Sequence, residues 1–393
     1  MPIDVESLRA DTPGCDKVVH LNNAGASLMP TPVLEAVIEH LRLEAAIGGY
    51  EAKAAALDKI EAARSSLARL VGAEPFDVML TESDTASFAK AFWGLALAGF
   101  FDHGGRVLVD RIAYGSHYLS LLQARERFGI EIEVMDSTPD GSIDLEQLAR
   151  RLERPARLVV ATHVATHRGL VNPVAAVGAL AAGAGVPLFL DACQSAGQMP
   201  LDVTAIGCAV ATGTGRKFLR GPRGTGWLYV APEWSEQMVP IGVDATSGDW
   251  LSPTEWKPKE RATRFEVFES SFACRIGLGT AIDYALETGV EAISKRIKAL
   301  SESLRERLGA VGATVHDGGA ERCGIISFTV PSHPARQVVE RLARAGINVV
   351  ASDATFNRID LPGRGLESVV RASPHAFNTE EELELLVGEI VRL

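Results

Sequence analysis

ATGTGRKFLRGPRGTGWLYV, residues 211–230, sets a lysine, Lys217, between two β-rich runs, Ala209–Thr212 and Gly226–Val230. Glycines flank a basic cluster of Arg216, Lys217, Arg220 and Arg223. Such a cluster is ordinarily a solvated loop. Between two buried strands it falls where α/β sheets keep their sites, beyond the strand ends. The unit before it, VPLFLDACQSAGQMPLDV (186–203), ends an apolar run on Asp191. A buried carboxylate is costly unless paired. The plainer reading is a helix N-cap aspartate.

Working outward, further β-rich runs occur at Asp77–Thr81, Arg106–Asp110, Leu158–His163 and Val186–Asp191. Several are continuously apolar, as expected for strands buried on both faces. Helical stretches separate them. One runs from about Pro32, with Thr31 as its N-cap, to the Gly48-Gly49 stop, and another from about Lys53 to Val71. The fold class expected is α/β, an open, doubly wound, mostly parallel sheet. Beyond Pro232 the pattern changes. Residues 233–265 read as irregular, and a long helix is expected over Ile276–Leu308. Strands at Gly324–Thr329, Asn348–Ala351 and Val369–Ser373 alternate with a helix over Ala335–Ala345, and a last helix opens on Thr379-x-x-Glu382. The expected division is a large domain over 17–254 and a smaller α+β domain made of 1–16 and 255–393.

Apolar residues make up 47% of the 393, charged ones 23%, and the net charge is -11. That composition is soluble and globular. It argues against nucleic acid or an anionic membrane as partner, since phosphate binding needs concentrated positive charge. The five cysteines are scattered without a CxxC pair, so neither a metal site nor a disulfide framework is expected, and a reducing, cytoplasmic location fits. The first residues lack the basic start and apolar stretch of a signal peptide.

Together, the Asp191 and Lys217 segments resemble the class V aminotransferase superfamily of fold type I pyridoxal-phosphate enzymes. This superfamily includes cysteine desulfurases, isopenicillin N epimerase-like proteins and C–S lyases. The resemblance runs from HLNNAGASLMP (20–30) to the last helix. It implies pyridoxal 5'-phosphate as cofactor, bound through a Schiff base to Lys217, with Asp191 on the pyridine nitrogen. An amine in this position serves as nucleophile and then as base. A protonated ring is the better electron sink. The resemblance also implies Gln194 beside the ring and Thr166, in ATHVATHRGLVNP (161–173), near the phenolic oxygen. Tyr114, in VDRIAYGSHYLS (109–120), is implied as the stacking residue, with His117 as its rival. His163 and His167 read as structural or supporting.

For the phosphate, MLTESDTASFAKAF (79–92) has a strand–turn–helix form in which Ser83, Asp84 and Thr85 offer backbone N–H groups to an anion. Asp84 would repel a phosphate unless its side chain turned away to cap the helix. Thr214 matches a phosphate-binding position. Arg216 stands where many relatives have His, and could pair bidentately. Arg371, in VVRASPHAFNTEEELELL (369–386), is implied as the fork for the substrate carboxylate. Asn22, Asn23 and Gly25, in LNNAGAS (21–27), and Gly49, Tyr50 and Glu51, in IGGYEA (47–52), are implied to line the substrate pocket. In 263–279 Glu269, beside Ser270, replaces the threonine with which relatives reach a neighbouring subunit's phosphate. A homodimer with its site at the interface is implied.

Desulfurases use a cysteine on a C-terminal loop. INVVASDATFNRIDLPGRGLESVV (347–370) holds none, and Cys323 falls on an expected buried strand. Desulfuration is therefore disfavoured at this level. The expectation is an enzyme that deprotonates Cα of an amino acid, with β-elimination or transamination as outcome and epimerisation as the alternative. A nicotinamide oxidoreductase would need a GxGxxG turn after an early strand, which is lacking. A non-catalytic scaffold of this fold would usually lack the lysine.

Overall fold

The computed structural model describes residues 3–393. Seven strands make the central sheet: β1 Val78–Thr81, β2 Gly105–Val109, β3 Ile130–Val134, β4 Leu158–Thr162, β5 Leu188–Asp191, β6 Val210–Thr214 and β7 Gly226–Val230. Their spatial order is β1-β7-β6-β5-β4-β2-β3. Only β7 runs antiparallel, to both β1 and β6. The expected doubly wound sheet is therefore present. Side chains alternate between its faces, and each face has its own core. Leu108, Val159, Ala161, Leu188 and Leu190 enter one. Val107, Val109, Leu158, Val160 and Phe189 enter the other. A strand buried on both sides has no polar face to show, hence the unbroken apolar runs.

Chain direction places the chemistry. β5 and β6 are parallel, with Asp191 opposite Thr212. Asp191 therefore ends one strand while the neighbouring strand runs on to Thr214 and the turn that carries Lys217. Gly226 lets that corner close. A Cβ there would lie 2.5 Å from the backbone carbon of Ser83, at the turn leaving β1.

A smaller antiparallel sheet takes Thr314–Val315, Ile326–Thr329, Ser368–Ala372 and Val350–Asp353, in that order. Phe328, Val338, Leu342, Val370 and Leu383 pack beneath it. Val19–His20 pairs in parallel with Ile347–Asn348. Residues 19–20, placed by the sequence in the large domain, thus bind to the chain of the small one. This pairing brings the N-terminal segment beside Arg371.

Several element expectations change. The helix over 53–71 is two, α2 Gly49–Ala55 and α3 Leu57–Val71, following α1 Thr31–Ile47. The long helix over 276–308 is likewise two, Phe272–Thr288 and Val290–Ala310. Gly289 between them has φ +88, a left-handed value that ends a helix. Residues 248–258, read as irregular, form an antiparallel hairpin. β3 was missed because IEIEV alternates charge with apolar residues, the signature of a half-exposed edge strand. Cys323 is buried, but in a loop ahead of the strand Ile326–Thr329. Among the described residues no helix is long and apolar enough to cross a membrane.

Candidate active site

Asp191 and Lys217 come together at the C-terminal edge of the sheet, both buried. Asp191 Oδ1 accepts from the backbone N–H of Cys193 at 2.9 Å, as a turn aspartate would. Its Oδ2 faces the ring of His117, with Nδ1 at 3.8 Å, an ion-pair separation and not a hydrogen bond. Burial raises the Asp191 carboxyl above the usual range; Asp84 adds to this, and His117 and Lys217 oppose it.

The helix α4, Asp84–Leu97, starts beside this pair, and α5, Gly115–Phe128, packs near it. Ser83 is the N-cap of α4 and accepts from the N–H of Ala86 at 3.1 Å. The Asp84 side chain, expected to turn away and cap the helix, does not cap it. Ser83 already caps the helix, so the Asp84 side chain turns inward and its Oδ2 meets His117 Nε2 at 2.9 Å. Burial alone would raise Asp84, but His117 and then Lys217 hold it at about 2. Thr85 is exposed and stands apart from the cavity. His117, the rival for the stacking role, lies flat on Phe88 with centroids 4.1 Å apart and is buried behind Asp191.

The cavity beside Lys217 has a volume of about 160 Å³ and is bounded by Tyr114, Thr166, Arg216, Lys217, Phe356 and Arg371. Lys217 Nζ sits 5.9 Å from the Tyr114 ring centroid. Tyr114 stacks on Phe356 with ring centroids 6.5 Å apart, and both line the cavity. Gln194 is buried; its Nε2 donates to the Ala24 carbonyl at 3.1 Å and to Thr166 Oγ1 at 3.5 Å. Arg371 donates from Nη1 to the Thr166 carbonyl at 2.9 Å and from Nη2 to Asn22 Oδ1 at 3.0 Å. Burial lowers its guanidinium to about 10, with Tyr114 opposing that shift and Arg216 adding to it. At neutral pH it remains a cation.

Three buried polar atoms at this cavity lack partners: Gln194 Oε1, Arg216 Nη1 and Arg371 Nε. Such orphans are rare in native folds. Two guanidinium donors, an amide acceptor, a lysine and a carboxylate suit a polar anionic ligand with a cationic ring nitrogen. The residues present therefore fit pyridoxal 5'-phosphate and an amino-acid carboxylate.

Other expected residues lie elsewhere. Thr214 Oγ1 is occupied with the Thr225 carbonyl at 3.1 Å. Asn23 is buried, donating to the Ser373 carbonyl at 2.8 Å and accepting from Ser27 Oγ at 2.6 Å. It latches the N-terminal segment, and its neighbour Asn22 is the one that reaches Arg371. Tyr50 is 74% exposed on α2 and pairs with Phe268 at 6.1 Å, away from the cavity of this chain. Glu269 is exposed too. His163 is buried, pushed down to about 4 by burial, with its backbone bonded to the Asp191 carbonyl. His167 binds Asp360 at 2.8 Å and has a structural role. Asn22, named with Asn23 in LNNAGAS, is the one of the pair at Arg371; Phe356 is not singled out from sequence, since a Phe in a C-terminal loop carries no local signal.

A family model described as "Aminotransferase class-V" matches residues 19–386. A probable cysteine desulfurase from Methanothermobacter thermautotrophicus is 28% identical over 390 residues, 97% of this chain and 96% of the relative. One from Halobacterium salinarum is 28% identical over 404 residues, 99% of this chain and 96% of its own. The apo structure of a cysteine desulfurase from Thermococcus onnurineus superposes with a TM-score of 0.93 at 26% identity, covering 100% of this chain and 98% of the other. These names overturn the expectation that set desulfuration aside. That expectation rested on one missing residue in one loop, whereas the likeness to desulfurases spans the whole chain. From β1 through Lys217 to the last helix, the chain belongs to the aminotransferase class-V family.

Proposed function

We propose that the protein is a pyridoxal 5'-phosphate enzyme of the desulfurase type, which breaks the C–S bond of cysteine or a close sulfur amino acid. The observation that supports it most is that Lys217 and Arg371 line one cavity, with the buried Asp191 close enough to Lys217 to feel its charge, in a chain whose relatives are named desulfurases. When bound, the coenzyme supplies an electron sink for charge at Cα. Lys217 holds it and, once released, moves the Cα proton. Asp191 keeps the ring nitrogen protonated. Gln194 and Thr166 orient the ring, and Arg216 with the N-terminus of α4 receives the phosphate. Arg371 takes the substrate carboxylate. Overall, cysteine and an acceptor thiol yield alanine and a persulfide: a Cβ–S bond breaks, a Cβ–H bond forms, and an S–S bond forms on the acceptor.

The test is holoenzyme with L-cysteine and dithiothreitol, measuring alanine, sulfide, pyruvate and ammonia. Alanine and sulfide in equal amounts are expected. Pyruvate and ammonia instead of alanine would replace desulfuration by β-elimination. Keto-acid-dependent amino transfer without C–S cleavage would overturn the proposal.

Arg371 provides a graded check. Its two outer nitrogens are fixed by Asn22 and Thr166, so the fork is held in place before substrate arrives. Charge-assisted hydrogen bonds contribute roughly 1.5–3 kcal/mol each. Arg371→Leu should raise KM for cysteine by about 100-fold with a smaller change in kcat. Arg371→Lys should fall between, since it keeps the charge and loses the fork. Equal KM values for all three proteins would remove Arg371 from the site.

We further propose that two copies form the working unit. Leu41 and Ile47 on α1 are exposed apolar side chains, as are Tyr50 and Phe268, which contact one another. Such exposure favours a protein partner. Light scattering should give twice the chain mass; a monomer at micromolar concentration would refute this.

A further inference from the structure

Behind Asp191 lies a set of groups that the proposed reaction does not use. His117 is buried with both ring nitrogens directed at carboxylates, Nε2 to Asp84 Oδ2 at 2.9 Å and Nδ1 to Asp191 Oδ2 at 3.8 Å. Phe88 supports the ring face to face. Three elements supply the three residues: the first turn of α4, the helix α5 and the end of β5. Asp84 has no role in capping, because Ser83 performs it. A carboxylate at that position, buried and aimed away from the expected phosphate, needs another explanation.

We propose that Asp84 and His117 act as a coupled pair of positioning residues, which hold Asp191 ionised and aimed at the cofactor. The inference rests on the pyridoxal-phosphate reading above. Two carboxylates this close, in a buried site, cannot both stay charged without a cation between them. His117 is that cation. Burial would lower its imidazolium, but Asp84 first, then Asp191 and Asp110, raise it. Facing the group are Asp84 from α4, Asp191 from β5, and Asp110 just past β2, whose own carboxyl burial pushes up to about 7. Lys217 acts on Asp84 and Asp191 from the turn after β6. His117 and Lys217 act against the burial and the Asp84 charge that raise the Asp191 carboxyl, and His117 does so from between the two carboxylates. Neutralising Asp84 would return His117 to its neutral form and leave Asp191 without support.

The test is Asp84→Asn, His117→Phe and the double variant, each loaded with pyridoxal 5'-phosphate. Asparagine preserves the shape of Asp84, and phenylalanine preserves the stack on Phe88. The pH titration of the bound coenzyme's visible absorption should shift its midpoint by about one unit in each single variant, a tenfold change in the proton equilibrium. The pH profile of kcat/KM should shift in the same direction. The double variant should match the single ones, since members of one unit are not additive. Unchanged midpoints in folded, coenzyme-loaded variants, or additive shifts, would overturn the proposal. If the variants do not fold, nitrogen-15 spectra of histidine-labelled wild-type holoenzyme decide. His117 should stay doubly protonated through neutral pH, and an ordinary imidazole titration would refute the pair. Failure of the wild-type protein to bind the coenzyme would instead refute the reading on which this rests.

Discussion

Lys217→Ala is expected to abolish turnover of cysteine, with kcat falling at least about ten-thousand-fold, the upper range for removing one general base. The side chain sits where two roles coincide. It is buried at the edge of the cavity, beyond the end of β6 and within reach of the Tyr114 side. No carboxylate lies within ion-pair distance of its Nζ among the described residues. The amine is therefore free to bond an aldehyde and afterwards to accept a proton. Alanine removes both functions while leaving the turn and its strands intact, so the variant should still fold. Added methylamine should restore part of the activity by supplying the missing base. A variant that keeps more than a tenth of wild-type turnover would contradict the assignment.

Asp191→Asn should cost less than this, but still heavily. The amide oxygen can still accept from the Cys193 N–H, so the local turn survives. What disappears is the carboxylate proposed to hold the ring nitrogen. Removing one member of a buried charge pair costs about 3–5 kcal/mol, equivalent to a loss of roughly two to three and a half orders of magnitude. The loss should appear in kcat/KM, and coenzyme affinity should fall with it. His117 would also lose one of its three carboxylate neighbours, so its own proton would bind less tightly. Activity within threefold of wild type would show that the ring nitrogen is held elsewhere.

The sheet could be read from sequence because its strands are buried on both faces and thus lack alternation. Val159 and Val160 enter opposite cores, and both are apolar for that reason. The edge strand β3 escaped the same rule, being half exposed. Helix breaks at Ala56 and Gly289 were missed because apolar spacing continues across them. Asp191 and Lys217 stood out because a charge at the end of a buried run needs a partner. Asp84 and Asn23 were assigned by position along a motif, which fixes the backbone but not where a side chain turns. Ser83 took the cap, and Asp84 therefore turned to His117; Asn23 latched onto Ser373, leaving Asn22 to Arg371. The desulfurase reading failed from sequence for a related reason. It weighed one loop against a likeness that extends over the whole chain.

The central claim is that Lys217 carries the coenzyme. Holoenzyme reduced with borohydride and digested should yield one peptide bearing the reduced coenzyme, the one that contains Lys217. Label on any other lysine, or none on a protein that binds the coenzyme, would contradict it.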